Sequence, residues 1–328
     1  MADVIRWGIL GTGNIARKFT TALKGLPDAA VTAVGSRRAE TAEAFGAEFG
    51  VSNRHGSYEA LVSDPEVDAV YVSTPHPMHK DNSLLALASG KAVLCEKPFT
   101  VNAREAAEAV AVARSEGRFL MEAMWTRFLP AVAQARAWVE EGRIGEPRLV
   151  RADFGFRADP NPEGRLFAPA LGGGGLLDVG CYVVSFASMV FGTAPERVTG
   201  LANLGETGVD EQAVMGLGYP GGGMAALTCA VRTTTTHGAH VYGTDGMIHL
   251  PHPFWSGTQV VLEAQGAEPE ARQFEHRVNG YEFQALEVAD CLRAGRLESG
   301  ILPLDESVRI METLDELRAQ WGLTYPVE

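Results

Sequence analysis

The apolar run at residues 4–10 leads without interruption into Gly11-Thr12-Gly13-Asn14-Ile15-Ala16, and a helical pattern follows through Leu23. Glycines placed this way between a strand and a helix leave few options. Gly11 makes a tight turn, Gly13 lets the backbone approach a pyrophosphate, and Ala16 allows close packing of the helix on the strand. The amino terminus of that helix offers unpaired N–H groups and the positive end of its dipole to an anion. A strand, turn and helix of this kind open a parallel sheet covered by helices on both sides. Gly11, Thr12, Gly13, Asn14 and Ile15 are therefore candidate contacts for a dinucleotide.

The next elements continue the alternation. A strand at residues 30–34 ends in Gly35-Ser36-Arg37-Arg38, where an NAD site would carry an acid for the ribose hydroxyls, and no carboxylate occurs before Glu40. Ser36, Arg37 and Arg38 suit a 2′-phosphate instead, so NADP is the expected cofactor. Helices at 39–49 and 58–61 flank a short segment around Asn53, and a strand at 69–73 runs into Thr74-Pro75-His76-Pro77-Met78-His79. Thr74, Pro75, His76 and His79 then lie at a strand end beside the cofactor. After a helix at 80–89, a strand at 91–94 ends in Glu96-Lys97-Pro98. Ligands of an open parallel sheet sit outside the carboxyl ends of its strands. There the Lys97 ammonium can hold a substrate oxygen or lower the pKa of a neighbouring acid. A helix from Asn102 to Arg114 and a sixth strand at 119–123 complete a first domain, residues 1–122.

The chain has 328 residues, more than one hydrophobic core commonly supports, so residues 123–328 are expected to form a second domain. A formal net charge of -13 argues against nucleic acid or an anionic membrane as partner. Cys95, Cys181, Cys229 and Cys291 fit no metal or redox spacing and suit buried thiols in a reducing compartment. No targeting segment opens the sequence, no later apolar run is expected to span a bilayer, and a cytoplasmic location is expected.

Past a linking helix at 129–141 the period changes. Seven candidate strands follow, at residues 148–157, 197–204, 211–219, 224–232, 239–242, 246–250 and 259–264, with a hairpin signal at Gly243-Thr244-Asp245-Gly246. This predicts an open, mostly antiparallel sheet with helices on one face. The strand at 224–231 is too apolar for a face left in water, which predicts a homodimer through the sheet. Helices at 282–294 and 305–320 close the chain, with no sign of which domain they pack on. Within this half, Gly172-Gly173-Gly174-Gly175 precedes a helix reaching Phe191, on which Asp178 and Tyr182 are spaced i, i+4 and share a face. A carboxylate and a phenol together are either an acid/base pair or a buried tyrosine anchored by an aspartate.

Taken together, residues 7–16, Glu96-Lys97-Pro98 and residues 173–182 resemble the glucose-fructose oxidoreductase and inositol dehydrogenase (Gfo/Idh/MocA) family. Tyrosine at 182, where many members have histidine, with residues 121–128 and 154–157, is most similar to the branch of dimeric dihydrodiol dehydrogenases and NADP-dependent aldose dehydrogenases. The resemblance implies a Rossmann domain joined to an α/β domain whose open sheet often forms a dimer interface. It implies hydride transfer between NADP(H) and a carbohydrate or cyclic diol, with Tyr182 as proton carrier, Lys97 tuning it and Asp178 orienting the pair. It implies a cis Lys97-Pro98 peptide, cofactor contacts from Glu96, Lys97 and Arg127, and substrate contacts from Trp125, Phe154, Phe156, Phe167 and Tyr281. Glucose-fructose oxidoreductase has an amino-terminal arm that helps retain its cofactor; this sequence starts at the first strand, so exchangeable NADP is expected.

Three His-x-x-His pairs occur, His76/His79, His237/His240 and His249/His252. None has a third ligand nearby in sequence, and nicotinamide chemistry with a tyrosine acid needs no metal. Two other activities use this fold, a non-catalytic NADP-sensing regulator and a redox-assisted glycosidase. The intact Lys97, Asp178 and Tyr182 set weighs against the first, and the arginines after the second strand weigh against the second.

Overall fold

The computed structural model describes residues 4–328. It opens with β1 (Ile5–Leu10), α1 (Asn14–Lys24), β2 (Ala29–Gly35), α2 (Ala39–Phe49), β3 (Asn53–His55), α3 (Tyr58–Val62), β4 (Ala69–Val72), α4 (His79–Ala88), β5 (Ala92–Glu96), α5 (Ala103–Ser115) and β6 (Leu120–Ala123). These strands form one parallel sheet in the order β3-β2-β1-β4-β5-β6. Strand order reverses between β1 and β4, and a crevice at such a point takes the ligand in doubly wound sheets. β4, β5 and β6 are buried at every position, as expected for strands covered on both faces. Trp7 of β1, Phe19 of α1 and Tyr71 of β4 pack in series, with ring centroids 5.3 and 4.0 Å apart. They lock the first helix onto the sheet beside the glycine turn.

The chain continues with α6 (Pro130–Glu140), β7 (Pro147–Gly155), α7 (Cys181–Phe191), β8 (Arg197–Leu204), β9 (Asp210–Gly218), β10 (Met224–Ala230), β11 (Ala239–Gly243), β12 (Gly246–Leu250), β13 (Gln259–Ala264), β14 (Glu270–Gln273), α8 (Glu282–Arg293) and α9 (Leu304–Trp321). An eight-stranded sheet runs β14-β13-β12-β11-β7-β10-β9-β8. Every pair in it is antiparallel except β7 with β10. The fold is thus α/β, with a doubly wound parallel sheet followed by an open, mostly antiparallel one. Sequence reading missed β14, whose Glu-Ala-Arg-Gln lacks the apolar alternation of a strand. It also ran β7 on to Arg157, where only an isolated bridge to Arg232 remains.

On one face of the large sheet α6 packs over β12 and β13, and α7 over β7 and β10. On the other, Leu201, Val214, Met224 and Leu149 are exposed. Strand register pairs Leu201 with Val214 and Met224 with Leu149, the two pairs lying four positions apart along β9 and β10. His240 and His249 face each other across β11 and β12 and stack at 4.2 Å, and His237 stacks on His252 at 5.1 Å. Hairpin register thus pairs two of the His-x-x-His motifs crosswise. The expectation that no later run could span a bilayer is corrected in one respect. Pro169–Phe191 is long and apolar enough, but 89% of its apolar window is buried inside the protein.

Two compact units emerge. One contains the residues up to Thr100, Arg104–Trp125 and His276–Ser307; the other contains Val101–Ala103, Thr126–Glu275 and Val308–Glu328. α8 therefore returns to the parallel sheet's unit, where it packs on α1. Its Arg293 pairs with Asp28 at 2.6 Å, and Asn279 donates to the Lys18 carbonyl at 2.9 Å. The Glu282 carboxylate caps the helix start, accepting the N–H groups of Val278, Asn279 and Gly280. Most of α9 belongs to the other unit.

Candidate active site

In the first unit the glycine turn has the geometry its sequence requires. Gly11 has φ +109°, and a Cβ there would lie 2.9 Å from Ser73 Oγ and 3.0 Å from the Ser73 carbonyl, so only glycine fits. Its N–H donates to the Gly35 carbonyl at 3.0 Å, tying the turn to the end of β2. Gly13 caps α1, and a Cβ there would meet open space. Thr12 is half-buried, Asn14 exposed and Ile15 half-buried, and no acidic residue occupies the first turn of α1. This cradle fits a pyrophosphate.

Ser36, at the end of β2, is buried and hydrogen-bonded to Thr41 Oγ1 at 2.6 Å, while Arg37 and Arg38 are exposed. The Arg37 guanidinium lies near the Tyr58 phenol, whose pKa burial raises in spite of the nearby cation. At the end of β4, Thr74 is buried and accepts from Asn82 Nδ2 at 3.1 Å, Pro75 is exposed and His76 half-buried. His79 is wholly buried, with Nδ1 2.8 Å from the Pro98 carbonyl oxygen and Nε2 2.8 Å from that of Thr74. Burial lowers its pKa, and the charge of Lys97 adds to that effect. His79 thus braces the loops after β4 and β5 and has its polar atoms turned to backbone.

β5 ends in Glu96, which is buried and accepts a hydrogen bond from the Tyr71 hydroxyl. Half-buried Lys97 follows, and the Lys97-Pro98 peptide is cis. Trp125, after β6, stacks on Tyr281, before α8, with centroids 4.1 Å apart and planes 17° apart. Two aromatic residues 156 positions apart in the sequence are thus adjacent in one unit.

In the second unit the glycine run leads into a π-helical turn, Leu176–Gly180, before α7 begins. Asp178 lies on that turn and Tyr182 on α7, so the regular helix assumed for their i, i+4 spacing is replaced by a wider turn at Asp178. Asp178 is buried and accepts from Arg165 Nη1 at 2.7 Å. Arg165 sits in an irregular stretch before the glycine run, and sequence reading passed over it. Tyr182 packs edge-on against Phe154, centroids 5.3 Å apart, and Phe154 stacks on Trp255 at 4.8 Å with planes 2° apart. His237 adjoins Phe154 at 5.2 Å. Its loop is anchored on Asp153, which accepts from Thr236 Oγ1 at 2.7 Å and from the His237 N–H at 2.6 Å. Burial alone would raise the Asp153 pKa, but these hydrogen bonds hold it below the usual carboxylate range. Trp255 lies in a loop where spacing gave no signal, and the His-x-x-His spacing that singled out His237 pointed to a metal site and not to an aromatic cluster. Phe156 is half-buried just past β7, and Phe167 is buried in the turn before the glycine run. Buried Arg127 donates from Nη1 to the Ser185 carbonyl at 3.1 Å and to Ser185 Oγ at 3.3 Å, bracing α7 one turn after Tyr182.

Residues 5–124 match the model of an oxidoreductase family with an NAD-binding Rossmann fold, and residues 132–249 match the GFO/IDH/MocA C-terminal domain. Trans-1,2-dihydrobenzene-1,2-diol dehydrogenase of Mus musculus is 43% identical over 330 residues, covering 98% of both chains. The chain belongs to the Gfo/Idh/MocA family. The Bos taurus dihydrodiol dehydrogenase is 42% identical, again over 98% of both chains. Among solved structures, a 3-ketoreductase from Actinomadura kijaniata in complex with NADP and TDP-benzene superposes with TM-score 0.86 at 29% identity, covering 97% of this chain and 98% of that one. An aldose-aldose oxidoreductase from Caulobacter crescentus, complexed with glycerol, gives TM-score 0.89 at 25% identity with the same coverage. As a member of this family the protein is an NAD(P)-dependent oxidoreductase.

Proposed function

We propose that this protein is an NADP-dependent dehydrogenase of cyclic diols or sugars, with Tyr182 as the proton carrier. The observation that carries the reading is the buried Tyr182 phenol ring set edge-on against Phe154, itself stacked on Trp255. An aromatic wall beside a proton-bearing hydroxyl suits the face of a ring substrate. Full-length similarity to dihydrodiol dehydrogenases supports the CH-OH donor, and the basic end of β2 supports NADP.

When bound, the nicotinamide supplies the hydride acceptor. The cradle around Gly11 and Gly13 fixes the pyrophosphate, and Ser36, Arg37 and Arg38 bind the 2′-phosphate. Tyr182 Oη takes the proton of the substrate hydroxyl in oxidation and returns it in reduction. Asp178, its carboxylate paired with Arg165, keeps a negative charge at the head of α7 and orients the acid/base group. Lys97, a cation at the carboxyl end of β5, is proposed as a further catalytic group. The protein is further proposed to work as a cytoplasmic homodimer that covers Leu201, Val214, Met224 and Leu149. A panel of trans-dihydrodiols and aldoses with NADP and with NAD, followed by NADPH or NADH absorbance, tests the reading; turnover of no CH-OH substrate in the panel counts against it.

A further inference from the structure

Tyr325 lies far from α7 in sequence, yet it is buried and its hydroxyl donates to the Gly173 carbonyl at 2.7 Å. Three residues further along the glycine run, the Leu176 N–H donates to Asp210 Oδ2 at 2.6 Å. Asp210 is wholly buried at the start of β9. A Cβ on Gly174 would lie 2.2 Å from Asp210 Oδ1, and Gly174 has φ +117°, so the carboxylate and the glycine are fitted to each other. Tyr325 is held in turn. Arg318 lies over its ring at 4.9 Å, and Glu328 accepts both the Tyr325 N–H at 2.9 Å and Arg318 Nη2 at 2.7 Å.

We propose that Tyr325 and Asp210 are positioning residues for Tyr182, gripping the glycine run at the Gly173 carbonyl and the Leu176 amide, from which the turn bearing Asp178 and the helix bearing Tyr182 extend. The inference rests on Tyr182 being the proton carrier. Two anchors on a glycine-rich segment matter because glycine gives the backbone the freedom that these bonds remove. A shift of about an ångström at the reacting groups costs up to about a hundredfold in rate.

The groups facing Asp210 are the amides of Gly175 and Leu176, Arg318 of α9, the Tyr325 phenol and the Cys229 thiol of β10. Burial pushes its carboxyl up to about 7, against the pull of the amides and Arg318. An ionised acceptor makes a stronger hydrogen bond than a protonated one. The grip on Leu176 therefore tightens through neutral pH and should place a limb near pH 7 in the kcat profile.

The test uses the full chain with Tyr325→Phe, Asp210→Asn and Tyr182→Phe, taking kcat per NADPH-binding site counted by fluorescence titration. Tyr325→Phe is expected to lower kcat about tenfold with KM for NADP within about twofold, and Asp210→Asn to abolish the limb near pH 7. A purely structural role would lower the melting temperature and the number of binding sites but leave kcat per site and the pH profile as in the wild type. That result, with Tyr182→Phe inactive, overturns the positioning role and leaves the proton-carrier assignment standing. Tyr182→Phe with wild-type turnover overturns both. If Asp210→Asn does not fold, Tyr325→Phe alone decides.

Discussion

Arg37→Ala removes the guanidinium beside the Tyr58 phenol and leaves Ser36 and Arg38 in place. A charge-assisted hydrogen bond to a phosphate oxygen contributes about 1.5 to 3 kcal/mol, or about tenfold to a hundredfold in Kd. Arg37 is exposed, so water and salt screen it and the lower end applies. NADP should bind about tenfold more weakly to the variant. NAD, with a hydroxyl in place of the phosphate, should change by less than about twofold. The tyrosine supplies a second arm. Burial raises the Tyr58 pKa, so the phenol stays neutral at working pH and steadies the guanidinium without cancelling its charge. Tyr58→Phe, which removes a polar neighbour of the guanidinium, should therefore weaken NADP by less than about fivefold and again spare NAD. Both Kd values can be read by fluorescence titration at low and high salt, and the Arg37 contribution should shrink as salt rises. Equal weakening of both cofactors, or none, would refute the reasoning and make Arg37 a solvated residue at the start of α2.

Tyr182→Phe should lower turnover about a hundredfold to ten-thousandfold and leave the Kd for NADP nearly unchanged, measured by steady-state kinetics beside cofactor titration. Light scattering should give a dimer for the wild type and a monomer for Leu201→Glu with Val214→Glu, since both carboxylates would enter the exposed apolar face. Folding stability should respond to Asp210, whose carboxyl is raised to about 7 in the folded protein. A raised carboxyl stabilises the fold below its unfolded pKa of about 4, and that contribution is lost as pH climbs to 7, about 4 kcal/mol in all. Chemical denaturation of wild type and Asp210→Asn between pH 4 and 8 should show this slope in the wild type alone.

What could be read in the sequence and what could not divide along physical lines. The parallel sheet was legible because strands such as Ala69–Val72 are apolar throughout and separated by helices, and because Gly11 answers a steric demand that no other residue meets. β14 was illegible because it is a charged edge strand, a composition that discourages pairing with other molecules and also hides the strand from a pattern search. The placement of α8 depends on Asp28 and Lys18, more than 250 residues away, and an amphipathic helix declares which face it buries without declaring against what.

The site follows the same rule. Gly173 to Tyr182 could be read because its residues are contiguous, whereas Arg165, His237, Trp255, Asp210 and Tyr325 reach that region by folding. Nor does residue spacing distinguish the π-helical turn at Asp178 from an α-helical one. Local chemistry thus names the groups able to move a proton, and distant residues set how firmly those groups are held. Single-atom changes such as the Tyr325 hydroxyl are for this reason more informative than further substitutions within the contiguous motif. They alter the grip on the backbone and leave the proton-transfer chemistry untouched.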